Sequence, residues 1–178
     1  MEIIPTPQEA ETKLIEYIKE PYLQLHSRMV AKAMKAYGNK YNEDENLWYV
    51  TGLLHDLDYE QFPNEHPSRS LEWFSKWGYD HRLIHAVAAH AISMPRVKPE
   101  SNMAKSLIAI DELAGLLYAY SLMRPDGFRG MEAKSALKKF KDKAFAAKID
   151  REEIKYGVNE LGIDLKEHIS NLITIYNE

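Results

Sequence analysis

Cysteine is absent from all 178 residues of the chain. This absence excludes disulfide frameworks, thiolate zinc sites, iron–sulfur clusters and cysteine nucleophiles. Any metal that the protein binds must therefore be held by nitrogen and oxygen ligands.

Basic residues are also fewer than acidic residues. Lys and Arg number 23 against 27 Asp and Glu, which gives a formal net charge of −4. A dedicated nucleic-acid-binding protein usually has a basic excess, so we expect no nucleic-acid partner. The hydrophobic fraction of 45% and the aromatic fraction of 11% are ordinary for a globular protein, and the length suits a single core.

Long apolar runs are missing as well. The longest strongly apolar stretch, residues 107–120, contains Asp111 and Glu112 and is too short to cross a bilayer. Residues 1–10 lack the basic start and apolar run of a signal peptide. We therefore expect a cytoplasmic protein without a membrane partner.

Apolar residues recur at helical spacing along the chain, and no run alternates in the manner of a β-strand. Leu25, Met29 and Ala33 show the helical pattern on one predicted helix. A basic helix is predicted over residues 132–147. The sequence therefore predicts an all-α fold, organised as a single domain over residues 1–178.

Polar residues that favour helix starts precede several of these segments. We expect Pro21 in the first turn of the second helix, where its missing N–H costs nothing. The predicted capping residues are Thr6 or Thr12, Asp80, Ser101 or Asn102, and Asp164.

Asp111 occupies an unusual place for a carboxylate. Its neighbours at three- and four-residue spacing are Leu107, Ile108, Ala114 and Gly115, so it should be buried. A buried carboxylate must be paired, hydrogen-bonded or bound to a cation, because an isolated one is costly. A salt bridge or a helix-packing hydrogen bond is the alternative to a metal ligand.

Four histidines and one further aspartate accompany Asp111. His26 lies on an apolar helix face, and His55-Asp56 ends an apolar run, where both side chains can converge above the last helical turn. His66 lies in a loop, and His90 has alanine neighbours. Each alone also fits a structural role. Together these imidazole and carboxylate groups suit Zn, Fe, Mn, Co or Ni.

The order of these residues resembles the H…HD…D signature of the HD-domain metal-dependent phosphohydrolase superfamily. The matching residues are His26, His55-Asp56 and Asp111. The resemblance implies an HD-domain core over about residues 22–122, followed by a C-terminal helical extension over about residues 131–178. Residues 55–58 read His-Asp-Leu-Asp and resemble the related HDIG motif, with Asp58 in place of its glycine. In this respect the chain is similar to a small HDIG-like subgroup of the superfamily.

The two further histidines, His66 and His90, have a spacing that resembles that of a subgroup with a dinuclear site. This subgroup includes the bacterial diadenosine-polyphosphate hydrolases. The resemblance implies one or two divalent ions per chain, drawn from Fe, Mn, Zn, Co, Ni or Mg. It assigns the first ion to His26, His55, Asp56 and Asp111, and the second to His66 and His90 with Asp56 as the bridge.

The resemblance also implies a function. The chain would be a phosphomonoesterase or phosphodiesterase that acts on a nucleotide or another small phosphate ester through a metal-activated water. His55 and Asp56 would be catalytic as ligands, and Asp58 would be the acid for the leaving group or would orient a ligand. Phosphate ester cleavage also needs cations. The candidate substrate-binding cations are Arg69, Arg96 and Arg124, each of which also fits a solvated surface.

Two other classes of function remain open at this point. Some proteins of the HD fold use the same six-ligand arrangement for a di-iron oxygenase site. A metal-containing signalling module without turnover is the third class. The sequence also leaves open whether the chain forms a homodimer.

Overall fold

The computed structural model describes residues 2–91 and 96–178. Within these ranges the chain forms nine α-helices and no β-strand beyond an isolated bridge between Ile3 and Tyr79. The predicted all-α fold is confirmed. The helices are α1 (Pro7–Tyr17), α2 (Pro21–Lys40), α3 (Glu45–Leu54), α4 (Ser68–Lys76), α5 (His81–His90), α6 (Asn102–Ser121), α7 (Ala133–Lys141), α8 (Arg151–Leu161) and α9 (Leu165–Asn177).

Short polar side chains begin most of these helices, as the sequence predicts. Thr6 accepts a hydrogen bond from the Glu9 N–H, and the Glu9 carboxylate accepts one from the Thr6 N–H at 2.7 Å, which completes a capping box. Pro21 occupies the first turn of α2. The other side chains that cap a helix N-terminus are Glu20, Asp44, Asp80, Ser101, Asp150 and Asp164.

The basic helix is shorter than the sequence predicts. The prediction extended over residues 132–147, whereas α7 ends at Lys141. Asp142 ends it, because its Oδ1 atom accepts a hydrogen bond from the Ala144 N–H at 3.1 Å and begins a turn. The residues that follow therefore form an irregular connection to α8, and this connection reaches the candidate site described below.

Helix α6 lies at the centre of the molecule and packs against α2, α5, α7, α8 and α9. Two glycines let helix pairs approach closely. A Cβ atom at Gly157 of α8 would lie 2.5 Å from the Ala109 backbone nitrogen of α6, and one at Gly52 of α3 would lie 2.8 Å from the Ala31 Cα atom of α2. The Gly52 contact sets α3 beside α2, and α2 in turn packs against α6. The residues of the first ligand group lie on α2, at the end of α3 and on α6.

None of the helices in residues 2–91 and 96–178 is long and apolar enough to span a membrane.

Candidate metal centre

A first group of side chains converges from α2, the end of α3 and α6. The His26 Nε2 atom lies 2.9 Å from Asp111 Oδ1, and His55 Nε2 lies 3.3 Å from Asp56 Oδ2 and 3.4 Å from Asp111 Oδ1. One ligand atom from each of these four residues lies within 4.8 Å of the others. The residues that are distant in the sequence thus meet within the reach of a single ion.

A second group shares one member with the first. The Nε2 atoms of His66 and His90 each lie 3.4 Å from Asp56 Oδ1, and they lie 3.2 Å from each other. Asp56 turns its Oδ2 atom to the first group and its Oδ1 atom to the second. The structure therefore brings together all six residues that the sequence singled out as ligands, with Asp56 between the two groups.

The histidine rings are oriented by hydrogen bonds on their outer nitrogen. His55 Nδ1 lies 2.7 Å from the Gly52 carbonyl oxygen, and His90 Nδ1 lies 2.5 Å from that of Val87. Because a carbonyl oxygen only accepts, both Nδ1 atoms carry the proton and donate it. Nε2 is then the nitrogen that faces the centre, and in the neutral ring it carries the lone pair that a metal binds.

The contacts at the centre fit a metal better than they fit each other. The buried Nε2 atom of His55 has no hydrogen-bond partner among the described residues. The Nε2 atoms of His66 and His90 face each other at 3.2 Å beside a carboxylate oxygen of Asp56. A set of imidazole nitrogens and carboxylate oxygens around a shared point is the donor set that divalent transition metals prefer. The six residues therefore fit one or two divalent ions.

Coupled charges at the centre keep the carboxylates ionised. Burial opposes the charged form, but the charge of His55 outweighs it and holds the pKa of Asp56 well below its ordinary value. Burial would likewise lower the pKa of His55, whereas the carboxylates of Asp56 and Asp111 raise it well above the ordinary value. The carboxylates of Asp56 and Asp111 are thus ionised and available to a cation.

Asp58 lies behind His66 rather than beside the open centre. Its side chain is fully buried, and its Oδ1 atom accepts a hydrogen bond from His66 Nδ1 at 2.7 Å. Its Oδ2 atom accepts another from the Ser70 N–H at 3.0 Å. Burial opposes the charged form, but the hydrogen bonds of His66 and Ser70 outweigh it and lower the pKa of Asp58. An acid for the leaving group does not fit this placement, whereas an orienting role for His66 does.

Two of the three arginines singled out as substrate-binding residues are engaged elsewhere. Arg69 lies on α4 and pairs with Glu65 at 2.7 Å and with Glu72 at 3.4 Å. Arg124 donates from Nε to the Gly127 carbonyl oxygen at 2.9 Å and so holds its own loop. Neither lines the cavity at the centre in the described part of the chain. That they hold a substrate phosphate stays a prediction, which their placement does not support.

Arg96 also departs from the expectation. Its guanidinium pairs with both carboxylate oxygens of Glu153, at 2.8 and 2.5 Å, and lies 3.9 Å from the ring centroid of Tyr156. This two-point contact is the geometry that guanidinium and carboxylate groups favour. Arg96 therefore joins the segment before α6 to α8, and among the described residues Glu153 rather than Arg96 lines the cavity.

A cavity of about 400 Å³ opens onto the centre. The ligands that line it are His26, Asp56, His66, His90 and Asp111. The polar and aromatic lining residues that are not among these ligands are Tyr22, Tyr59, Glu112, Lys148 and Glu153, and Ile149 lies beside Lys148. Of these, only Glu112 had a signal, since it follows Asp111 directly. The cavity wall that contains Lys148 and Ile149 comes from the C-terminal extension and is visible only in the tertiary structure.

Glu112 joins this wall to α6. Its Oε2 atom accepts a hydrogen bond from the Asp150 N–H at 3.1 Å. Burial raises the pKa of Glu112 to about 7, and the negative charge of Asp111 acts in the same direction. The connection between α7 and α8 is thereby held against the helix that carries Asp111.

Comparison with known proteins agrees with this arrangement. The family described as HD domain matches residues 24–116, which is more than half of the chain. Neither the curated proteins nor the solved structures yield a match to the chain. HD domains are all-α and are generally metal-dependent hydrolases. The superfamily that the order of histidines and aspartates indicates is confirmed, and the HDIG-like subgroup stays a prediction. With this match and this geometry, the chain belongs to the HD-domain family.

Proposed function

We propose that the protein is a metal-dependent phosphohydrolase that acts on a small phosphate ester. The observation that carries the proposal is the sharing of Asp56 between two ligand groups, one with His26, His55 and Asp111 and the other with two histidines. Two adjacent divalent sites of this kind suit the in-line displacement at phosphorus that phosphatases catalyse. HD-family membership supports the same reaction class.

The two ions would have unequal sets of ligand residues. His26, His55, Asp56 and Asp111 would hold the first ion, and His66 and His90 would hold the second with Asp56 as the bridge. Bound divalent ions lower the pKa of water and neutralise charge on a phosphoryl group. The hydrogen bond from His66 to Asp58 would keep that imidazole in place during turnover.

The cavity suits a small substrate with one charged end. Its volume of about 400 Å³ is at the lower end of the range for ligand pockets. Lys148 supplies a cation at its wall, in the role that the sequence predicts for Arg69, Arg96 and Arg124. We assign Lys148 to the phosphate, because a lysine ammonium binds phosphate oxygens as a point charge.

Two tyrosines flank the ligands and suit an aromatic leaving group. The Tyr22 ring lies 6.4 Å from the His26 ring with an interplanar angle of 28°, and Tyr59 meets His66 edge-on at 5.4 Å. Both tyrosines are 44% exposed, so a flat face remains accessible at either side of the cavity. Stacking of a nucleobase on an aromatic side chain is favourable whichever base is present. These tyrosines therefore support a nucleotide as the phosphate ester.

Hydrolysis by the metal-loaded chain tests this proposal. Protein loaded separately with Mn, Co, Ni, Mg or Fe is assayed for phosphate release from p-nitrophenyl phosphate, bis-p-nitrophenyl phosphate and nucleotides. Asp56→Asn keeps the shape of the side chain but removes its charge and one strong acceptor. We expect its activity at saturating metal to fall by more than about 100-fold, since a change behind a ligand already costs 10–100-fold.

Asp126→Asn is the matched control, because this aspartate is exposed in the loop after α6. It should keep wild-type activity. Full activity of Asp56→Asn would contradict the proposal. Oxygen consumption by the iron-loaded protein without phosphate release would favour the oxygenase alternative, and the absence of both reactions would favour a signalling module.

A further inference from the structure

A second cavity adjoins the one at the metal centre. It has a volume of about 710 Å³ and lies between the end of α7 and the start of α8. Lys148 and Ile149 line both cavities, so these two residues form the wall between them. The cationic residues that line the second cavity are Lys141, Lys143, Lys148, Arg151 and Lys155, and we call it the basic cavity.

The acidic residues of the basic cavity are already engaged. The Oδ1 atom of Asp150 accepts hydrogen bonds from the N–H groups of Glu152 and Glu153 at 2.9 and 3.2 Å, as the cap of α8. Glu152 pairs with Lys155 at 2.7 Å. Five cationic residues against these two carboxylates leave the cavity with an excess of positive charge.

Three lysines carry this excess. Lys141, Lys143 and Lys148 are exposed, and none of them forms an ion pair with another described residue. A favourable interaction with the C-terminal end of α7 accounts for Lys141 in its last turn. Lys143 and Lys148 follow the helix, so the helix end does not explain why they line the same cavity.

Arg151 orders the loop that presents these lysines. Its guanidinium donates to the carbonyl oxygens of Phe140 at 3.1 Å, Ala146 at 2.9 Å and Ile149 at 3.0 Å. Carbonyl oxygens carry only partial charge, so the full positive charge of Arg151 still adds to the local potential. The loop is thus held in one shape by a cation that reinforces the field of its lysines.

The loop is also attached next to the metal centre. The Ile149 Cδ1 atom lies 3.0 Å from the position that a Cβ atom of Gly115 would occupy, and the Asp150 N–H donates to Glu112. Gly115 lies one helical turn after Asp111, on the helix that supplies this ligand. The basic cavity therefore keeps a defined position relative to the candidate ligands.

We infer that the basic cavity binds a second phosphate group of the substrate, while the first phosphate lies at the metal centre with Lys148 between them. The substrate class is then a phosphate ester whose leaving group itself carries a phosphate. This inference rests on the proposed function. In the reaction, water forms the new P–O bond, the ester P–O bond breaks, and the proton from water ends on the leaving oxygen. The second phosphate remains on the alcohol product.

A matched pair of substrates tests the inference. Adenosine 5′-monophosphate and adenosine 3′,5′-bisphosphate differ by one phosphate, and the measured quantity is the ratio of their kcat/KM values. The wild type should favour the bisphosphate. In the double variant Lys141→Gln and Lys143→Gln we expect this ratio to fall about tenfold, because charge-assisted contacts to one phosphate are lost.

The control double variant is Lys134→Gln and Lys166→Gln, which removes the same charge at exposed positions outside the basic cavity. It should keep the wild-type ratio. An equal fall of the ratio in both double variants would overturn the inference, as would a wild type that hydrolyses the monophosphate without preferring the bisphosphate. Circular dichroism melting of each variant shows that the chain is folded.

A binding measurement separates failure of this inference from failure of the proposed function. Inorganic pyrophosphate is titrated calorimetrically into the full chain in the presence of a chelator, so that only protein cations can bind it. Binding that weakens in Lys141→Gln and Lys143→Gln, but not in the control, supports the anion site even if neither nucleotide is hydrolysed. Absence of pyrophosphate binding to the wild type would overturn it.

Discussion

Three histidines of the candidate metal centre are held from behind through their Nδ1 atoms. His55 and His90 donate to carbonyl oxygens of their own helices, and His66 meets the carboxylate of Asp58. The first two bonds are local and follow from helix geometry. The third joins residues eight positions apart across a turn and brings a negative charge, which raises the basicity of the imidazole.

Asp58→Asn tests this orienting role. The asparagine oxygen can still accept from His66, but the charge is lost and the Ser70 N–H then faces the amide nitrogen, which cannot accept. We expect metal affinity at the site of His66 and His90 to fall about 10–100-fold, the usual cost of losing such a partner. Metal titration followed by mass spectrometry measures the effect. Asp164→Asn, at the exposed cap of α9, is the control and should bind metal normally. Unchanged affinity in Asp58→Asn would contradict the role.

A buried histidine outside the centre makes stability depend on pH. His168 accepts from the Tyr37 hydroxyl at 2.5 Å and donates from Nε2 to the Ala109 carbonyl oxygen at 2.9 Å, so it is held neutral. Burial lowers its pKa from 6.5 to about 4. Between pH 6.5 and 4 the imidazole of His168 is protonated in the unfolded chain but not in the folded one, so a falling pH favours unfolding. The stability that the neutral His168 contributes is therefore complete above pH 6.5 and is lost as the pH falls to 4.

His168→Gln should weaken this dependence. Integration over the window gives a contribution of about 3 kcal/mol at neutral pH in the wild type. We expect the free energy of unfolding, measured with urea in a chelator, to fall more steeply between pH 7 and 4.5 in the wild type than in the variant. His81→Gln, at the exposed first position of α5, is the control. Parallel pH profiles for His168→Gln and wild type would show that this histidine does not titrate as its burial requires.

At the scale of helices, the contact between α6 and α8 links the HD core to the C-terminal extension. Gly157 permits it, because any side chain there would meet the α6 backbone near Ala109. The contact lies two residues before Asp111, and the loop that precedes α8 supplies the cavity wall. Helix packing therefore makes the extension part of the candidate site, although the family match ends at residue 116.

Gly157→Ala tests the closeness of this contact. Alanine favours a helix over glycine by about 1 kcal/mol, yet overpacking against a backbone costs typically 1–3 kcal/mol. Since the nearest α6 atoms are backbone and cannot rotate away, we expect net destabilisation, measured by urea unfolding. Asn159→Ala, exposed on the same helix, should be neutral or slightly stabilising. Greater stability of Gly157→Ala would mean that α8 can move outward freely.

On the scale of the whole molecule, the ligands tie together segments that are far apart in the sequence. They come from α2, from α5, from α6 and from residues 55–66 after α3. An ion that binds only the folded chain stabilises it by mass action, at about 2.7 kcal/mol for a concentration 100 times the Kd.

Removal of metal should therefore lower the melting temperature. For a chain of this size about 1 kcal/mol corresponds to roughly 2–4 °C, so we expect a fall of about 5–10 °C with a chelator. Differential scanning calorimetry measures it, and added metal should restore the wild-type value. Asp56→Asn should show little response to chelator. A melting temperature unaffected by chelator and by added metal would contradict binding at this centre.

Local interactions explain what the sequence by itself determined. Helical periodicity and capping depend on residues within four positions of each other, so the all-α fold and the starts at Thr6, Asp80, Ser101 and Asp164 were predictable. The apolar surroundings of Asp111 likewise required a partner. The ordered histidines and aspartates then indicated the family, since a ligand set constrains residue types in a fixed order.

The tertiary structure alone decided which charges meet. Arg96 was a candidate for substrate, but its position beside α8 gives it Glu153 as a partner. Lys148 had no signal in the sequence, because its approach to the metal centre depends on how α8 packs against α6. Ion pairs and cavity walls form between residues far apart in the chain, and their partners depend on helix packing that local sequence patterns do not encode.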